Sequence, residues 1–419
     1  MIANLLLSDL SRSSKSAQRA AKLSCHIAEL DGIRGVAIGM VVFYHYVIET
    51  ALVQHGSLLW YLLIPGRLGW TGVDFFFVLS GFLIGGILLD ARESRNYFPV
   101  FYARRFFRIV PIYAVFLFSL LLLTSMVKAG VVPQWPWITR DALPWYSYVF
   151  LVQNFWMGLT NSLSSPAATI TWSLAVEEQF YLTLPWLVRF LGRKRLVQVA
   201  LEGILVAPLL RTALYLLWPR LSQPWFVLMP CRADVLLFGV LAAIAIRDAS
   251  WKSWLERNRK LLLLSIVLLL AIVPVLTRMY YVAYGLPTAF LGLTAIAALY
   301  ALVLVYVLVF PHSTLGWFLR LKPLTWLGSI AYGVYLFHQL IFYITFGLVF
   351  SRPPVLSSVR EVLVCILAFG MTLFLCRLSW RFFEKPLIAG GHRITYDFGP
   401  PPLQDTLSHG QLPKNGPCP

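Results

Sequence analysis

Long apolar runs follow one another along most of the chain, and charges, prolines and glycines collect in the short segments between them. A helix rises about 1.5 Å per residue, so roughly 20 apolar residues match the hydrocarbon thickness of a bilayer. Eleven stretches qualify, beginning near residues 33, 70, 106, 144, 171, 197, 226, 261, 289, 326 and 358. The fourth is the exception. Its sequence, PWYSYVFLVQNFWMGL, is short, carries Gln153 and Asn154, and lies between Pro-, Trp- and Ser-rich loops. That pattern suits an interfacial or re-entrant segment better than a crossing.

The basic residues decide between ten and eleven spans, because Lys and Arg of short loops are retained in the cytoplasm. Ten spans with a cytoplasmic N-terminus place 25 basic residues inside and 7 outside. Counting the 144 segment as a crossing inverts everything after it and gives 13 inside against 19 outside. The sequence therefore predicts an all-α polytopic membrane protein of about ten transmembrane helices with both termini cytoplasmic. Residues 1–28 read as a cytoplasmic tail, 29–388 as the membrane domain and 389–419 as a flexible, Pro- and Gly-rich cytoplasmic tail.

Composition agrees. Hydrophobic residues make up 59% of the 419 and charged residues only 13%, with a mean hydropathy of +0.73. One soluble core of this length could not hide so much apolar surface. The net charge of +17 falls in short clusters between the apolar runs, as positive-inside loops do, and not as a nucleic-acid-binding face. Five cysteines (Cys25, Cys231, Cys365, Cys376, Cys418) are scattered without C-x-x-C spacing, so neither a metal site nor a disulfide framework is indicated. The N-terminal apolar stretch is too short for a convincing secretory signal.

Charges inside apolar runs need a partner or a function. The first span, ELDGIRGVAIGMVVFYHYVIETALV, carries Asp31, Arg34, His45 and Glu49. Eleven residues at 100° each bring Arg34 and His45 to within about 20° of one face, and Glu49 follows one turn later. A buried imidazole with a carboxylate one turn away can serve as a general base for an alcohol; alternatively Glu49 only stabilises the helix end. Arg232 lies two residues from Asp234, which suggests a local pair or a functional role. Arg211 has only Glu202 on its own helix, nine residues back, and is unassigned.

Six motifs in order carry a resemblance. LDGIRGVAIGMVVFYH sets Arg34 and His45 with ten residues between them; GVDFFFVLSGFLIG follows at 72–85, FYARRFFRIVPIY at 101–113, TWSLAVEEQFYL at 171–182, SIAYGVYLFH at 329–338 and WRFFEKPL at 380–387. From residue 29 to about 387 the chain resembles the membrane-bound acyltransferase 3 family, whose members O-acylate bacterial polysaccharides, lipopolysaccharide and small glycosides. The resemblance implies about ten spanning helices in the bacterial inner membrane. It implies acyl-CoA, usually acetyl-CoA, as a cytoplasmic donor substrate with no permanently bound cofactor, and a saccharide or glycoside acceptor on the far side. The family's essential pair falls on Arg34 and His45, its basic R-x-x-R on Arg105 and Arg108, and its central-helix acid on Glu177.

Physical chemistry supplies roles. Arg104, Arg105 and Arg108 at the cytoplasmic mouth of the third span can hold the phosphates of coenzyme A through guanidinium forks, or act only as a positive-inside anchor. Glu177 and Glu178 point 100° apart, so at most one faces His45 or the acceptor; the motif selects Glu177. Asp74 reads as an N-terminal cap or an acceptor contact. Tyr335 and His338, on one turn, read as packing or acceptor contacts, and Glu384 as structural. His45 is expected to deprotonate an acceptor hydroxyl, or to form an acyl-imidazole first. The rival from another class is a proton-coupled exporter, since intramembrane His, Glu and Arg also build proton relays. Acceptor identity, acyl length and oligomeric state are not readable from the sequence.

Overall fold

The computed structural model of the protein describes residues 27–132, 135–139, 141–277 and 285–399. Of the cytoplasmic tails expected over residues 1–28 and 389–419, residues 1–26 and 400–419 lie outside the described residues. The main helices are α1 (Ala28–Phe43), α2 (Gly72–Ala91), α3 (Tyr97–Lys128), α4 (Trp145–Val149), α5 (Gln153–Thr160), α6 (Thr171–Phe190), α7 (Arg193–Leu217), α8 (Met229–Arg247), α9 (Arg259–Leu276), α10 (Leu293–Val309), α11 (Lys322–Ser329), α12 (Ala331–Phe350), α13 (Val359–Ser379) and α14 (Lys385–His392). Among the described residues the only β-type pairing is an isolated bridge between Ala51 and Leu356.

Nine helical segments among the described residues are long and apolar enough to cross a membrane. The predicted tenth, α6, has 20 residues and so the length for a crossing, but Glu177, Glu178 and Gln179 at its centre leave it less apolar than the rest. The 144 segment is split into α4 and α5 around Phe150–Val152, each too short to cross. The chain is a multi-pass membrane protein of the all-α class.

Two kinds of helix make up the bundle. On α3, α7, α9 and α13, apolar side chains such as Phe118, Leu209, Leu270 and Phe374 stay exposed, which suits a lipid-facing ring. By contrast α2 and α8 are largely enclosed. They cross at Gly81 and Gly239, where a Cβ on either would strike the backbone of the other helix; small residues let membrane helices approach this closely.

The enclosed helices carry two ion pairs that differ from the sequence expectation. Residues two apart on a helix point about 200° away from each other, so Arg232 and Asp234 do not meet. Instead Arg232 pairs with Asp74 of α2 and is ringed by Phe77, Trp172 and Phe226 at 5.7, 5.5 and 5.2 Å. Arg211 of α7 takes Asp234 in a two-pronged contact of 3.0 and 2.9 Å, and Thr294 donates to the same carboxylate at 2.6 Å. All four charged side chains are fully buried. Glu202 pairs with Arg195 at 3.6 Å, not with Arg211.

Candidate active site

Helix α1 forms one wall of the site, and its glycines set how closely it is held. Gly32 and Gly35 lie against the backbone of Leu319 and Leu324, and Gly328 of α11 against that of Asp31. The polar stripe of α1 is thus fixed in rotation. Past Phe43 the helix widens by one residue: the Glu49 amide bonds back five positions to the Tyr44 carbonyl at 3.0 Å, a π-type turn over Tyr44–Ile48. Such turns occur often at functional positions, and this one contains His45.

His45 is half-buried, and its Nδ1 lies 3.0 Å from Nε2 of His338 on α12. The His338 Nδ1 in turn faces the carbonyl oxygens of Tyr335 at 2.8 Å and Val334 at 3.1 Å. Tyr46 holds the same stretch of α12: its hydroxyl donates to the His338 carbonyl at 2.7 Å, and its ring stacks on Phe342 at 4.0 Å. The imidazole's neighbour is therefore a second imidazole. Glu49 is exposed and does not bond His45, so the carboxylate expected one turn away does not take that place.

Toward the start of α3 a cationic cluster forms. Arg108 lies within electrostatic reach of both Arg34 and Arg105, although 74 residues of sequence separate it from Arg34. Arg34 pairs with Asp31, one turn back. Glu177 on α6 lies within reach of Arg105 and Arg108 and accepts from the Tyr181 hydroxyl at 3.2 Å. Tyr181 also shares a hydrogen bond with Ser80, and the Arg105 guanidinium sits 5.4 Å over its ring. Glu178, on another side of the helix, lies near Tyr332 and Tyr113. Glu384 completes the floor, bonded by Ser379 at 3.0 Å and within reach of Arg108.

The predicted site residues thus separate into groups. Arg34, Arg105, Arg108 and Glu177 come together, and His45 stands apart from them in sequence, beside His338 in the π-type turn that follows α1. Arg104 turns to the C-terminal segment, donating to the Ile394 carbonyl at 2.9 Å and lying 5.0 Å over the Tyr396 ring. Asp74 is fully buried in its pair with Arg232; the N-cap of α2 is Thr71. Asp74 is therefore not the cap of α2, and its carboxylate is taken by Arg232. Tyr335 donates to the Ile170 carbonyl at 3.0 Å and bonds Ser173, and His338 is fully buried. Tyr335 is thus tied to the start of α6, and His338 is enclosed against His45. Sequence reasoning missed Tyr181 and Ser80. Tyr181 lies inside the TWSLAVEEQFYL motif one helical turn after Glu177, and that spacing was the available signal.

Within an apolar helical shell, the described residues thus bring together a group of guanidiniums and carboxylates around Arg108 and a pair of imidazoles at His45 and His338; intramembrane ionisable groups of this kind mark functional positions. The family model described as an acyltransferase domain matches residues 27–381, and the chain belongs to that family. It is 28% identical over 381 residues to the peptidoglycan O-acetyltransferase OatA of Listeria monocytogenes, a match covering 87% of this chain and 56% of that protein. It is 28% identical over 387 residues to the putative peptidoglycan O-acetyltransferase YrhL of Bacillus subtilis, covering 88% and 56%. With O-acetyltransferase OatA of Staphylococcus aureus the identity is 26% over 381 residues, covering 88% and 58%. The chain spans a little over half the length of these relatives. No solved structure matches it.

Proposed function

We propose that the protein is a membrane-embedded O-acetyltransferase that takes the acyl group of acetyl-CoA on the cytoplasmic side of the bacterial cytoplasmic membrane and passes it to a hydroxyl of a saccharide. A peptidoglycan-type glycan is the acceptor the relatives' names favour. The observation that carries the reading is the gathering of Arg34 with Arg105 and Arg108 from α3, together with a half-buried His45 held against His338 in the π-type turn that continues α1. Guanidiniums drawn together repel one another unless anions offset them. Asp31 and Glu177 do so in part, and the phosphates of a coenzyme A would do so further.

In this mechanism His45 takes the proton of the acceptor hydroxyl as its oxygen attacks the thioester carbonyl. The C–S bond breaks, the ester forms, and His45 returns the proton to the departing thiolate. A cation or N–H beside the carbonyl stabilises the negative charge that develops on its oxygen. Purified protein in lipid nanodiscs, given labelled acetyl-CoA and soluble glycan-chain fragments, is expected to move label to the glycan. His45→Ala is expected to abolish the transfer while expression and membrane insertion stay at the wild-type level. Transfer that survives His45→Ala sinks the mechanism, and a wild-type protein that transfers no label but moves glycan across a membrane points to an exporter instead.

A further inference from the structure

The His45–His338 contact has a direction that the surrounding atoms determine. Nδ1 of His338 faces two carbonyl oxygens, of Tyr335 at 2.8 Å and Val334 at 3.1 Å. Carbonyls only accept, so this nitrogen carries a proton. A neutral imidazole has one N–H, which leaves Nε2 of His338 as an acceptor. Placing a proton on Nε2 as well would bury a cation with no counter-charge bonded to it, which is strongly disfavoured; the side chain is fully buried, sealed from solvent that could share the charge. The His45 Nδ1, 3.0 Å away, must then be the donor.

We propose that His338 is a positioning residue that holds His45 in the tautomer protonated on Nδ1, so that Nε2 of His45 is the basic nitrogen offered to the acceptor hydroxyl. This rests on the acyl-transfer reading and deepens it. In hydrolases a carboxylate behind the histidine holds the working tautomer and stabilises the imidazolium that forms. Here a neutral imidazole takes that position. Two features keep the His338 ring in place. It is tied to its own helix through two carbonyls, and Tyr46, the residue after His45, bonds the His338 backbone at 2.7 Å. Orientation of α1 and of α12 at this level is thus set by a reciprocal pair of contacts. His45 is the partly accessible member and His338 the sealed one, as the assignment requires.

Two substitutions and one spectrum test it. His338→Gln keeps a side-chain oxygen that can accept from His45, whereas His338→Met keeps volume and removes the acceptor. In the nanodisc assay with acetyl-CoA and glycan fragments, His338→Met is expected to lose on the order of 100-fold in kcat, with KM for both substrates changed by less than about threefold. His338→Gln is expected to recover to within about tenfold of wild type. Independently, 15N-histidine spectra of the wild-type protein, with His45 assigned by difference from His45→Ala, should show the Nδ1–H tautomer. The inference is overturned by an Nε2–H signal for His45, by full kcat in His338→Met, or by a well-inserted His338→Gln as impaired as the methionine variant. Failure of the acyl-transfer reading itself is separately visible, because the spectrum reports the tautomer even if wild-type protein transfers nothing.

Discussion

At the scale of single residues, the buried charges of α2, α7 and α8 are the sharpest test of what holds the enclosed part of the bundle together. Removing one partner of a buried ion pair leaves an uncompensated charge and typically costs about 3–5 kcal/mol, while replacing both by apolar groups is often close to neutral. Asp234→Ala strands the Arg211 guanidinium, which bonds no other carboxylate among the described residues. It is expected to lower the unfolding midpoint in detergent steeply and to reduce the yield of folded protein. Asp74→Leu is expected to do the same by stranding Arg232, and Asp74→Leu with Arg232→Met together should recover most of the loss. A double variant as unstable as the single one would show that these charges do more than balance each other. The expectation of a shared face for Arg34 and His45 came from the 3.6-residue period, which depends only on neighbours along one helix; the π-type turn over Tyr44–Ile48, which departs from that period, was not readable. The partner of His45 was not, since His338 lies 293 positions away and nothing local to either residue encodes the contact. The pairing of Arg232 failed for the same reason: proximity in sequence suggested Asp234, and helical geometry assigned Asp74.

At the scale of helices, close approach depends on glycines. Gly81 of α2 and Gly239 of α8 each meet the other helix's backbone at the position a Cβ would take, and a peptide carbonyl cannot rotate away as a side chain can. Gly81→Val therefore forces α2 and α8 apart and shifts the Asp74–Arg232 contact between them. Overpacking of this kind costs about 1–3 kcal/mol, occasionally more. Gly370 of α13 has open space where its Cβ would stand, so Gly370→Ala should change the detergent unfolding midpoint little. Equal effects at both positions would mean that the crossing is not where the bundle is tight. Helix existence and approximate position were readable because each span is a long apolar run. The small residues that set helix-to-helix distance were visible as letters, but which glycine faced which helix depends on the tertiary packing. Polar centres were the harder case: α6 carries Glu177, Glu178 and Gln179 where a lipid-facing helix would be apolar, and it tolerates them because the rest of the bundle surrounds it.

For the whole molecule, α6 determines the topology. Nine crossings would leave the two ends of the membrane domain on opposite faces; ten return them to the same face. The contacts between segment ends gather on one side. Arg247 grips Asp90 at 2.9 and 2.7 Å, joining the ends of α2 and α8. Arg189 at the end of α6 bonds the Arg92 carbonyl. Arg193, opening α7, meets Asp248 at 2.8 Å. Asn96, just before α3, donates to the Thr395 carbonyl at 2.9 Å, so the segment after α14 lies beside the start of α3. The start of α6 lies beside α5 and α12: Gln153 donates to the Thr171 carbonyl at 2.7 Å, and Tyr335 donates to the Ile170 carbonyl at 3.0 Å. Helix α6 therefore ends among the segments that the basic residues mark as inside, and its 20 residues, enough to cross, put its start on the opposite face. We therefore predict that single cysteines introduced at Gly192 and Gly390 are shielded from a membrane-impermeant thiol reagent in intact cells and react after permeabilisation. A cysteine at Ser162, between α5 and α6, should react in intact cells. The labelling requires a background in which the native cysteines are replaced; Cys231, Cys365 and Cys376 are buried, so their replacement by similar small residues should leave the bundle assembled. Labelling of Ser162→Cys and Gly192→Cys from the same side would remove α6 as a crossing. It would also make α6 a re-entrant helix, so that Glu177 would stand on a segment entering the bundle from one face only.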